Sequence, residues 1–196
     1  MELTPAIVKE FARQMSEHFD TTIMDKEDAI EMTVLSYALD FMKITDRDKF
    51  MNHQALSMGT RLYFPFTPGE LSPDRSLLAQ VALITHEHVH VCQHRSNPGV
   101  YDIMYLADSA YRANKEAKGY SANIEIYLWM TGQHHAIESY GKILADSYHV
   151  DSQDVVVFQK TLELLTHSIK LGASVTKPAR VAKRILRRLG VTPHGG

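Results

Sequence analysis

Apolar positions return every three or four residues through most of this chain, the spacing of one helix face. Ile7, Val8, Phe11, Met15 and Phe19 form such a stripe. Thr4-Pro5 supplies a cap and a first-turn proline, so a helix is expected from there to about Phe19. A second is expected from Asp25 to about Ile44, with Ile30, Val34, Leu35, Ala38 and Met42 inward. Between residues 54 and 66 the period drops to two. Leu56, Met58, Leu62, Phe64 and Phe66 alternate with Ala55, Ser57, Gly59, Arg61, Tyr63 and Pro65. This predicts a strand over Gly59 to Phe66 with a partner around Gln54 to Met58. Thr67-Pro68-Gly69-Glu70 reads as a turn. A helix over 73–95 follows, capped by Ser72, with Pro73 at its first position and Asp74 in its first turn. It stops near Ser96-Asn97-Pro98-Gly99. Beyond it, Asp102 to Leu106 is a short element whose type the pattern leaves open. Further helices are expected over Asp108 to Met130, His135 to Tyr148, Asp151 to Leu171 and Lys177 to Gly190. The fold class expected is mainly α with a small β-sheet (α+β), the sheet placed just before the central helix. Residues 1–175 read as one domain and 176–196 as a basic C-terminal helix and tail.

Composition narrows the function classes. The chain has 196 residues, 44% of them hydrophobic, enough for a packed core. A net charge of −2 gives no reason to expect nucleic acid as a partner. One cysteine excludes an internal disulfide and suits a reducing compartment. No apolar run reaches membrane-spanning length and no charged-then-apolar leader opens the chain, so a cytoplasmic protein is expected. Lys177, Arg180, Lys183, Arg184, Arg187 and Arg188 share the last helix with an apolar stripe of Val181, Ala182, Ile185 and Leu189. Such a helix either docks that stripe on the body or binds an anionic surface.

The chemistry concentrates in His86-Glu87-His88-Val89-His90, an HExxH array on the 73–95 helix. Positions i and i+4 lie one turn apart, so His86 and His90 can present ring nitrogens to one Zn2+ ion. Glu87 sits about 100° round the helix, where it reaches a water rather than the ion. That is the arrangement of metal-assisted hydrolysis, with Glu87 as general base. A catalytic zinc needs a third protein ligand. Glu116, on the next long helix among Ala117, Gly119 and Ala122, is favoured. Glu125 is the second candidate, and His94 would serve only if the helix bent. An extended pattern with Gly at 93 and His at 96 is absent, since those positions hold Gln93 and Ser96. Tyr120, one turn after Glu116, is the candidate oxyanion donor, with Tyr111 and Arg112 as alternatives. His88 and Cys92 fall on the core face and read as packing residues. Gln93 faces the metal side and can hydrogen-bond a ligand. His53 is weighed as a cleft or surface residue, and His134-His135 as a loop or a histidine acting on the transition state.

The stretch His86 to Gln93 resembles the HExxHVxQ signature of small zinc metallopeptidases. It is similar to the metallopeptidase domain associated with extracellular contractile injection systems. Arg61-Leu62-Tyr63-Phe64-Pro65 and the helix Tyr111 to Tyr120 extend the likeness over about residues 50–130. The resemblance implies a zincin-like, gluzincin-like fold with an edge strand preceding the motif helix, zinc on His86, His90 and Glu116, Glu87 as base, and a peptide or protein substrate lying along the strand near Tyr63. The alternative is a zincin-like domain without turnover that binds a peptide or protein.

Overall fold

The computed structural model describes residues 2–26, 28–41, 47–148 and 150–195; the side chains of residues 34, 35, 38–41, 49 and 53 are outside that description. The inward positions expected at Val34, Leu35, Ala38 and Met42, and the side chain of His53, therefore lie outside the described residues.

Helix α1 spans Pro5–Phe19. The Thr4 hydroxyl accepts from the Ile7 amide, and Val8, Phe11, Ala12, Met15 and Phe19 are buried along one stripe. Asp20 ends it in the left-handed conformation and turns the chain into strand β1, Thr22–Asp25, which the sequence pattern did not signal. Helix α2 begins at Ile30, not near Asp25, because Asp25 is still paired in the sheet. Ile30 is consequently at the rim and 79% exposed, while Ala29 and Met32 take the buried positions. A short helix α3, Arg47–His53, was likewise unexpected.

Strands β2 (Leu56–Met58) and β3 (Arg61–Phe64) form an antiparallel hairpin closed by Gly59-Thr60. Gly59 adopts φ +60°, which a tight hairpin turn requires. Strand β1 pairs with β3 in parallel, giving the order β1-β3-β2. This corrects the expected edge strand. β3 is the middle strand, and its Leu62, Tyr63 and Phe64 are all buried, because α1 and α4 cover one face and residues of α2 and α3 the other. Tyr63 is turned away to donate to Glu31 at 2.8 Å.

Helix α4 runs Leu77–Ser96, one turn shorter than expected. Pro73 is instead the second residue of a Ser72–Arg75 turn, and Ser76 caps α4 by accepting from Ala79. The later helices are α5 (Tyr101–Ala107), α6 (Ser109–Thr131), α7 (Ile137–Tyr148), α8 (Ser152–Lys170) and α9 (Lys177–Arg188). α6 lies between two cores. One joins α1, β3, α4 and α9 to its Ile126. The other joins its Ala113, Ala117, Tyr120 and Ile124 to Tyr140 and Leu144 of α7 and Phe158 and Leu162 of α8. α9 buries Ala179, Val181, Ala182, Ile185 and Leu186 against the body and leaves Arg180, Arg184, Arg187 and Arg188 exposed. Among the described residues, no helix is long and apolar enough to cross a membrane.

Candidate metal centre

α4 and α6 pack side by side, and small residues let them approach closely. A Cβ at Gly119 would lie 2.6 Å from Cε1 and Nε2 of His86, so only glycine leaves room for that ring. The approach brings His86, His90 and Glu116 together, all buried. His86 Nε2 lies 2.9 Å from His90 Nε2 and 3.4 Å from Glu116 Oε2, and His90 Nε2 lies 3.2 Å from Glu116 Oε1. Donor atoms about 2 Å from one tetrahedral ion sit roughly 3.3 Å apart, so this spacing suits a single four-coordinate metal ion. Glu116 Oε2 is buried without a hydrogen-bond partner, the state of an oxygen that a cation would satisfy. His86 Nδ1 is also buried and unpartnered.

Electrostatics agree with the geometry. Burial raises the Glu116 carboxyl, but the neighbouring imidazoles, His90 above all, overcome it and hold the group well below the usual carboxylate range. Burial lowers His90, and the Glu116 carboxylate more than reverses this, leaving it raised to about 9. Glu87 is buried beside His86, and burial pushes its carboxyl up while both imidazoles pull it down.

Residues around the triad fix its orientation. His90 Nδ1 lies 3.0 Å from Gln93 Oε1 and 2.9 Å from the Tyr101 hydroxyl. The Gln93 amide donates to the Lys115 carbonyl at 3.1 Å, which turns its own oxygen toward His90. An acceptor at Nδ1 keeps the proton there and leaves the Nε2 lone pair for an ion. The Tyr105 hydroxyl donates to Glu116. Sequence reasoning missed both tyrosines as site residues. Their only signal in the sequence is a spacing of one turn, with Tyr105 in the element of open type and Tyr101 just before it.

The other sequence candidates lie elsewhere. Glu125 binds Lys183 at 2.5 Å, the Ser174 hydroxyl and the Val175 amide, tying α6 to α9. His94 pairs with Asp102 at 3.1 Å. His88 is buried between Thr21 and the Ile84 carbonyl, and burial lowers it to about 4. Cys92 packs against the main core. Arg112 donates to the carbonyls of Tyr105 and Leu106, and Tyr111 packs on Tyr101. His134 bonds the neighbouring His135 carbonyl, just past the end of α6. Tyr120 sets its ring edge-on to His86, with centroids 5.0 Å apart, and its hydroxyl is bonded to that of Tyr148.

A cleft of about 200 Å³ reaches His86, Glu87 and Tyr120. Gln54 and Ala55 wall it on one side, Asn123, Ser147 and Tyr148 on the other. Lys26, fully buried, holds that first wall by donating to the carbonyls of Phe50 and Gln54. A groove of about 320 Å³ between α1 and α9, lined by Arg13, Arg184 and Arg188, does not reach the triad. Compared with protein-family models, curated proteins and solved structures, the chain matches none.

Proposed function

We propose that this chain is a zinc-dependent metallopeptidase. One observation carries the proposal: two imidazole nitrogens and a carboxylate from adjacent helices converge, buried, beside a second carboxylate that faces a cleft. Zinc held by His86, His90 and Glu116 would supply Lewis acidity and a water acidic enough to ionise near neutral pH. Glu87, beside those ligands and facing the cleft, would serve as the general base and then as the proton donor to the leaving amine. Tyr120, its oxygen supported by Tyr148, offers a phenol to the oxyanion. A peptide adding to the sheet has the outer edge of β2, beside Gln54 and Ala55, as its place, since β3 is paired on both sides.

A site that binds metal without turnover is the second proposal. The size of the cleft favours it, since about 200 Å³ is below the roughly 300–1,000 Å³ of common ligand pockets. The test is metal content of the purified chain beside His86→Ala and Glu116→Ala, followed by peptidase assays with Glu87→Gln. About one zinc per chain, lost in both alanine variants, with turnover lost in Glu87→Gln, supports the peptidase. Zinc without turnover leaves the binding module. No zinc in the wild type, even after its addition, ends both.

A further inference from the structure

We infer that α5 is a clamp on the metal ligands, with Tyr101 and Tyr105 as positioning residues for His90 and Glu116. The inference rests on the metal site proposed above and adds an element outside the motif to it.

The amphipathy of α5 is inverted. Tyr101 and Tyr105, one turn apart, point inward, while the aliphatic Ile103 and Leu106 are 66% and 63% exposed. Packing alone favours the reverse, because aliphatic side chains lose nothing polar on burial and a phenol must find a partner. The inward tyrosines are explained by what their hydroxyls reach, and each reaches a different ligand. The Tyr101 hydroxyl meets His90 Nδ1 at 2.9 Å and donates to Gln93 Oε1 at 3.2 Å, completing the contacts that hold the His90 ring. The Tyr105 hydroxyl donates to Glu116 Oε1 and leaves Oε2, the oxygen without a partner, to an ion. The two phenol rings stack on each other, with centroids 5.7 Å apart.

α5 is also fastened at both ends. Asp102 pairs with His94 of α4, and Arg112 of α6 holds the carbonyls of Tyr105 and Leu106. The clamp therefore bridges the same two helices that supply the ligands. Ion binding and α5 docking are then linked: each favours the other by the same free energy.

The experiment compares zinc affinity, measured by competition with a chromogenic chelator, and the visible spectrum of the cobalt(II)-loaded protein. The variants are Tyr105→Phe, Tyr101→Phe and, as an outer-face control, Ile103→Ser. Both tyrosine variants should lose about 10- to 100-fold in zinc affinity and shift the cobalt bands, which report ligand geometry. The control should do neither. Urea unfolding of the metal-free proteins separates positioning from packing: a packing role lowers that midpoint and leaves the cobalt spectrum unmoved, which overturns the clamp. Wild-type affinity and spectrum in both variants also overturns it, with the metal site intact. If the wild type binds neither metal, the site itself fails and the clamp with it. Should a variant not fold, fluorine NMR of the 3-fluorotyrosine-labelled wild type decides between the same outcomes. The signals of Tyr101 and Tyr105 must move on zinc addition, and fixed signals overturn the proposal.

Discussion

Gly119 is where the absence of a side chain lets the His86 ring of α4 lie against α6. A methyl group there would meet the His86 ring at 2.6 Å, and the ring, not the helix backbone, is the part that can turn away. Gly119→Ala should therefore keep the fold, since alanine is the better helix former, yet weaken zinc binding about tenfold or more by rotating His86. Circular dichroism beside chelator competition checks both halves. Lys26 offers a separate test at the same scale. Its ammonium lies 3.3 Å over the Phe50 ring, buried, and burial pulls its pKa from 10.5 to about 7, with Glu87 pulling the other way. Between those values the unfolded chain holds a proton that the folded chain has released, so stability rises with pH through that window. Below it both states are protonated and the folded state carries the full cost, on the order of 5 kcal/mol for a shift of this size. The urea midpoint should climb from about pH 7 toward 10.5 in the wild type and lack that climb in Lys26→Met. Nothing in the sequence distinguishes Lys26. It stands in Asp25-Lys26-Glu27-Asp28, which reads as a solvated charge run, and its burial depends on chain far downstream.

Among the elements, local signals were legible and distant ones were not. α1 and α6 begin where the caps at Thr4 and Asp108 place them, because a cap and the stripe it starts are neighbours in sequence. At α4 two serines compete, and only Ser76 bonds an amide of the helix. Ser76→Ala should cost about 1 kcal/mol in thermal or urea unfolding, and Ser72→Ala only a few tenths. β1 left no trace because Thr-Ile-Met-Asp is too short to show alternation, and its parallel partner lies beyond two helices. That hidden strand is what places β3 in the middle of the sheet. α5 was legible as an element but not as a part of the site. Its type was left open by the pattern, and its aliphatic Ile103 and Leu106 are the exposed residues.

For the whole molecule, His86, His90 and Glu116 were legible because the pair is local and Glu116 sits among small residues at a helix crossing. Tyr105 and Tyr148 gather round them only through the folded chain. Two of the three candidate ligands belong to one helix and the third to its neighbour, so an ion held there would join α4 to α6. At a free zinc concentration a thousandfold above Kd, binding should add about 4 kcal/mol of stability. For a chain of this size that raises Tm by roughly 8–16 °C. A calorimetric scan with zinc and with a chelator checks it, and Glu116→Ala should abolish the difference. α6 belongs to both cores, so nothing on either side can come loose and leave it exposed. Its amides from Ala117 to Ile124 should exchange with deuterium only when the entire chain opens, while those of β2 exchange early. Any protease that nicks the periphery would then leave behind a fragment in which His86, His90 and Glu116 still meet.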